Sequence, residues 1–173
     1  MKRPPERRGV FKAAAYALGE IGPDGSRSLV KAYNSSKYQP ERDWVGLRAD
    51  FLKALGRTKD VKQVEFLIDR AARDHEDEIL RAAGIALGHF DEAKQKVRKN
   101  IVKELVKKLN EIFNKSRQSV DPGDPVMARA KYTLAAIERD WNQTLRKLTG
   151  QDFKTAPEWQ RFYNKNKGKN WDR

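Results

Sequence analysis

Apolar residues recur along this chain at helical spacing, and three times the pattern closes on one tripeptide: Ala17-Leu18-Gly19, Ala54-Leu55-Gly56 and Ala86-Leu87-Gly88. Counted from each leucine, the residues about two turns before, one turn before and one turn after share a helix face. In the first copy that face is Phe11, Ala14, Leu18 and Ile21; in the third it is Leu80, Ala83, Leu87 and Phe90. The second copy gives Arg48, Phe51, Leu55 and Thr58, whose ends are polar, so Leu47 and Leu52 are expected to share its burial. A divergent fourth copy aligns at Met127, Ala130, Leu134 and Ile137, with Ala135 where glycine stood. A helix that repeats at this period cannot bury its apolar face alone and stacks on the next, which predicts an α-solenoid.

Within each tripeptide the alanine lets a neighbouring helix approach and the leucine fills the core. The glycine is expected to end the helix in the left-handed conformation. Second helices should then follow at 26–33, after the Gly22-Pro23-Asp24-Gly25 turn, at 61–73, and over a long stretch at 92–117. Residues 34–43, 74–77 and 119–125 read as loops. Asp124 is placed to cap a helix beginning at Pro125, the favoured first helical position for proline. That helix should run over Pro125–Thr149 and stop at Gly150. A last helix, Ala156–Asn166, sets Trp159, Phe162 and Tyr163 on one side as a structural cap for the final repeat, which solenoid ends require.

The x-x-A-L-G-x-I/F pattern over residues 10–117 resembles HEAT repeats of the PBS-lyase-like kind. TLRKLTGQDF at 144–153 and EWQRFYNKNKGKNW at 158–171 resemble the carboxy-terminal segment of a group of short bacterial HEAT-repeat proteins. In that group a long helix, a T-G-Q turn and a Trp-rich last helix follow the repeats. The resemblance implies an all-α, right-handed HEAT-like solenoid: about three helix pairs, a long fourth helix and a short capping helix, with the second helices lining a concave face. It brings no catalytic residue with it. The expected organisation is a flexible basic N-terminus over 1–9, the solenoid over 10–150, and an aromatic capping segment with a basic tail over 151–173.

Composition fits that picture. Hydrophobic residues make up 38% of the 173 and charged residues 35%, as suits a thin helical array with much surface. Four Trp, seven Phe and the periodicity argue against disorder. With no cysteine, disulfides and thiolate chemistry are excluded. No apolar run is long enough to span a membrane, and the opening KRPPERR stretch lacks the apolar core of an export signal. Compartment and oligomeric state are left open. The net charge of +13 is uneven: residues 1–90 hold 17 Lys/Arg against 13 Asp/Glu, and residues 91–173 hold 20 against 11. Such asymmetry points to an acidic partner.

Candidate chemistry is sparse. His75 and His89 have no second strong ligand at metal-binding spacing, and the Asp74-His75-Glu76-Asp77-Glu78 run is expected at a helix N-terminus, where the macrodipole favours carboxylates. No metal or cofactor is expected. Phosphate-loop, nucleophile-elbow and metalloprotease motifs are missing, and the sequons at Asn34 and Asn142 read as chance. Asp140-Trp141 is the one pair that a DNA-glycosylase-like enzyme on a HEAT-like array could use, without a matching motif. The strongest functional feature is basic. Between Lys94 and Arg117 there are nine Lys/Arg and two acids, and Lys96, Lys99, Lys103 and Lys107 form one stripe opposite the apolar seam Val97, Ile101, Leu105, Leu109 and Ile112. The stripe is either a solvated face or an anion-binding one. The expected function is a non-catalytic scaffold for an acidic protein partner; the alternative is sequence-nonspecific nucleic-acid binding.

Overall fold

The computed structural model describes residues 6–38, 44–118 and 123–171. Among these residues there is no strand, and eight α-helices account for the fold: α1 Glu6–Ile21, α2 Pro23–Tyr33, α3 Val45–Arg57, α4 Val64–Arg73, α5 Asp77–Leu87, α6 Gln95–Lys115, α7 Pro125–Thr149 and α8 Ala156–Asn166. Short 3-10 turns stand at Ser36–Tyr38, Val61–Gln63 and Gly88–Phe90. None of the described helices is long and apolar enough to cross a membrane.

Local chemistry fixes the helix ends most clearly near the carboxy-terminal half. The Asp124 carboxylate accepts the backbone N–H groups of Val126 and Met127 at 2.8 and 3.1 Å, and Pro125 takes the first helical position. Gly150 (φ 71) closes α7 in the left-handed region. Thr155 and Glu158 form a reciprocal capping box at the start of α8. Both helices therefore begin and end where the sequence predicts. Elsewhere the bounds shift. α1 already starts at Glu6, inside the stretch expected to be flexible, and α2 starts at Pro23. The helix expected over 61–73 divides into a 3-10 turn and α4, and α6 is shorter at both ends than 92–117. Residues 1–5 of the expected N-terminal segment, and 39–43 and 119–122 of the expected loops, lie outside the described residues.

The odd-numbered helices touch in succession, α1 on α3, α3 on α5 and α5 on α7. Of the even-numbered helices, α2 leans on α1 and α3, α4 on α5 and α6, and α6 on α7 and α8. One apolar cluster, including Leu29, Leu55, Leu67, Leu87, Leu105, Trp141 and Trp159, runs through all of them except α1's outer side. The third repeat's predicted face is buried throughout, and Phe51, Leu55 and Thr58 are buried in the second together with Leu47 and Leu52. In the fourth, Met127, Ala130 and Ile137 are buried and Leu134 is half-buried. The first copy departs from expectation. Ala14 is exposed and Ile21 is 62% exposed, while Ala15 and Gly19 are the buried positions. Gly19, the smallest residue, faces α3 at closest approach, and that turns Ile21 outward.

The tripeptide glycines do not end helices as left-handed caps. Gly19 and Gly56 lie inside α1 and α3, and Gly88 is right-handed (φ −68). The left-handed residue after α3 is Lys59 (φ 52). Contact explains the glycines instead. A Cβ on Gly19 would stand 2.8 Å from the Ala54 carbonyl oxygen, one on Gly56 would stand 2.5 Å from the Ala86 carbonyl oxygen, and one on Gly88 would stand 2.9 Å from Thr144 Oγ1. The alanine of one tripeptide thus receives the glycine of the one before. In α7 the receiving residue is Thr144, ten positions beyond Leu134, where the sequence alignment centred the fourth copy. Thr144 Oγ1 also donates to the Gly84 carbonyl at 2.9 Å, and Trp141 Nε1 donates to the Leu80 carbonyl at 3.2 Å. The Trp141 indole occupies the space that a side chain on Gly84 would need.

Candidate interaction surface

α6 is amphipathic, and packing resolves its two sides. Ile101, Val102, Leu105, Val106, Leu109 and Ile112 are buried against α4, α7 and α8, while Val97 is half-buried. The four lysines of the predicted stripe do lie on the opposing side, but they are not equivalent. Lys96 and Lys107 are exposed, and neither pairs with a carboxylate among the described residues. Lys103 is exposed and pairs with Glu104 at 3.0 Å; the hydrogen bond it donates to that carboxylate holds its ammonium pKa above the ordinary value. Lys99 is half-buried. It donates to the Lys169 carbonyl and lies 5.4 Å from the centre of the Trp171 ring. Beside the stripe, Asn100 Nδ2 reaches across to Glu65 on α4 at 2.8 Å.

The carboxy-terminal segment supplies the contact on Lys99. Trp159 is fully buried, with its Nε1 donating to Asn142 Oδ1 at 2.8 Å. Asn142 Nδ2 in turn donates to the Lys154 carbonyl, which engages both ends of that sequon's amide. Phe162 and Tyr163 are only half-buried. Two aromatics join the cluster that the sequence did not single out. Phe153 meets Trp159 edge-on at 5.0 Å between centres, and Trp171 meets Phe162 at 6.0 Å. The Trp171 backbone N–H donates to Gln95 Oε1 on α6, and its indole N–H donates to the Asn166 carbonyl at 2.9 Å.

Between α8 and the chain that follows it opens a groove of about 810 Å³, with Phe153, Phe162 and Trp171 among its walls and Arg161, Lys165 and Lys169 beside them. Arg161 and Lys165 stand one turn apart on α8, and Lys169 follows in the turn beyond it. Among the described residues none of the three forms an ion pair. Among the described residues the one carboxylate lining the groove, Glu158, accepts from Thr155 Oγ1 at 2.7 Å and from the backbone N–H groups of Thr155 and Lys154. Those hydrogen bonds, the hydroxyl's foremost, hold its pKa below the usual carboxylate range.

A smaller crevice of about 390 Å³ lies where α5, α6 and α7 meet. Several of its polar groups are already matched: Arg129 and Thr133 donate to Asp77 behind the wall at 3.0 and 2.8 Å, and Lys108 and Lys115 both pair with Glu111. The acidic run expected at a helix N-terminus does supply Asp77 and Glu78 to the first turn of α5. No group of three or more metal-ligating side chains occurs among the described residues. His89 sits in the 3-10 turn after α5, half-buried; burial, then the charges of Lys147 and Arg57, push its pKa down. Asp140 pairs with Arg81 at 2.7 Å, and Trp141 is fully buried, so this pair offers no open stacking face beside an acid.

No family model, curated protein or solved structure matches the chain.

Proposed function

We propose that the chain is a HEAT-like, right-handed α-solenoid acting as a non-catalytic interaction module, with the basic face of α6 taking an acidic protein partner. The succession α1, α3, α5, α7, each glycine seated on the alanine or threonine of the next repeat helix, supports the repeat reading. The observation that carries the function is the exposure of Lys96, Lys103 and Lys107 along one side of a helix whose other side is consumed by the core. Exposed lysines of one sign steer acidic partners by long-range attraction, with an on-rate that falls as salt rises.

The test reverses those three charges together: Lys96→Glu, Lys103→Glu and Lys107→Glu. Binding of a glutamate-rich polypeptide, measured at low salt, should fall at least tenfold while the thermal melt stays in place. Unchanged binding returns the face to solvent and ends the proposal.

A further inference from the structure

We infer that the groove beside α8 is a second, separate site, built for a short stretch of single-stranded nucleic acid. Three half-buried rings, Phe153, Phe162 and Trp171, stand along it with centres 5.6 and 6.0 Å apart. Arg161, Lys165 and Lys169 stand beside the rings, all exposed and unpaired among the described residues. Among the described residues the only carboxylate in the wall, Glu158, is tied into the capping box of α8. A groove lined by both rings and cations suits a polymer that carries flat bases and phosphates, because every base has a stacking face and every phosphate a charge. An acidic peptide would answer the cations and leave the rings without a partner.

The groove also differs from the core aromatics in what it leaves accessible. Trp141 and Trp159 are sealed, with both indole N–H groups donating inside the protein. Trp171 is anchored by its backbone to Gln95 and by its indole N–H to Asn166, yet its ring stays partly open. A ring fixed at two points loses little freedom when a base stacks on it. At about 810 Å³ the groove falls inside the ~300–1,000 Å³ range of ligand sites.

The inference does not rest on the reading of α6, and one experiment separates them. An oligothymidylate of about eight nucleotides, within the site sizes of single-strand binders, is titrated into the full chain while tryptophan fluorescence is followed. Expected is quenching with saturation, an affinity that falls as salt rises, and roughly tenfold weaker binding by an abasic strand of equal length and charge. Trp171→Ala should weaken the oligothymidylate roughly tenfold. Trp171→Phe should retain binding and lose the quenching, and Lys165→Ala with Lys169→Ala should flatten the salt dependence. Equal binding of thymidylate and abasic strands, or a Trp171→Ala protein that binds like the wild type, overturns the inference. So does loss of the strand through Lys96→Glu, Lys103→Glu and Lys107→Glu alone. If those reversals abolish polyglutamate binding and spare the oligothymidylate, the two sites are distinct and the inference stands.

Discussion

Ser26 on α2 donates its hydroxyl to the Asp60 carboxylate at 2.7 Å, a buried hydrogen bond that ties the first helix pair to the turn following α3. Burial alone would raise the Asp60 pKa. The Ser26 hydroxyl, the Lys62 backbone N–H and the Gln63 amide outweigh it and hold the carboxyl below its ordinary value of 3.8. A depressed folded-state pKa stabilises the fold fully above the unfolded value, and that contribution is lost as pH falls through the folded one. Ser26→Ala should therefore cost about 1.5–3 kcal/mol at neutral pH, the range for a hydrogen bond to a charged group. Denaturant melts at pH 7 and at stepwise lower pH should show the gap to wild type closing below 3.8. A gap independent of pH would mean that Asp60 is not the partner that matters.

The glycine contacts predict opposite effects for one substitution. Gly56→Ala drives a methyl group into the Ala86 backbone and should destabilise by about 1–3 kcal/mol or more, the scale of overpacking a filled site. Gly9→Ala lies on the exposed side of α1 with nothing within 4 Å, and should stabilise by up to about 1 kcal/mol through helix propensity. Thermal melts of the two variants check the sign. Gains for both would show that α3 and α5 stand further apart than described.

Leu87→Ala should cost about 2–5 kcal/mol by opening a cavity at a fully buried position. Ile21→Ala, at a position the repeat pattern assigns to the same face, should fall within about 0.5 kcal/mol of wild type because that side chain is 62% exposed. Equilibrium unfolding in urea measures both. Similar losses at the two sites would restore the original face of α1.

Trp159→Ala should cost about 3–5 kcal/mol, since it removes the largest buried side chain of the cap and strands Asn142 Oδ1 without its donor. Trp171→Ala should lower the melt far less than Trp159→Ala, its ring being only half-buried. The pair separates the ring that holds the cap down from the ring that faces the groove. A melt lowered equally by both would make Trp171 part of the core.

What the sequence revealed and what it hid follow from distance along the chain. α7 was legible at both ends because Asp124, Pro125 and Gly150 act on their own backbone, and α8 was legible from its aromatic spacing, while its Thr155–Glu158 box came from the structure. The tripeptides were legible as a repeat but not in their working, since glycine suits both a left-handed cap and a close helix contact. Only the backbone angles and the facing alanine decide which. The lysine stripe on α6 was visible as periodicity. The loss of Lys99 to the chain's far end was not, because Lys169 and Trp171 stand some seventy residues away and nothing local announces the meeting. The groove was hidden for the same reason, since Phe153, Phe162 and Trp171 come from before, within and after α8.

Burial is distributed unequally from one end of the protein to the other. Among α1's described side chains only Ala15 and Gly19 are buried, whereas α5 buries seven positions, from Ile79 to Leu87. Opening α1 therefore exposes little apolar surface, and opening α5 exposes the centre of the core. Amide hydrogens of α1 should exchange with solvent through local opening long before those of α5, which should wait for global unfolding. The protein thus has a soft end and a hard middle, and heat or a protease will find the soft end first.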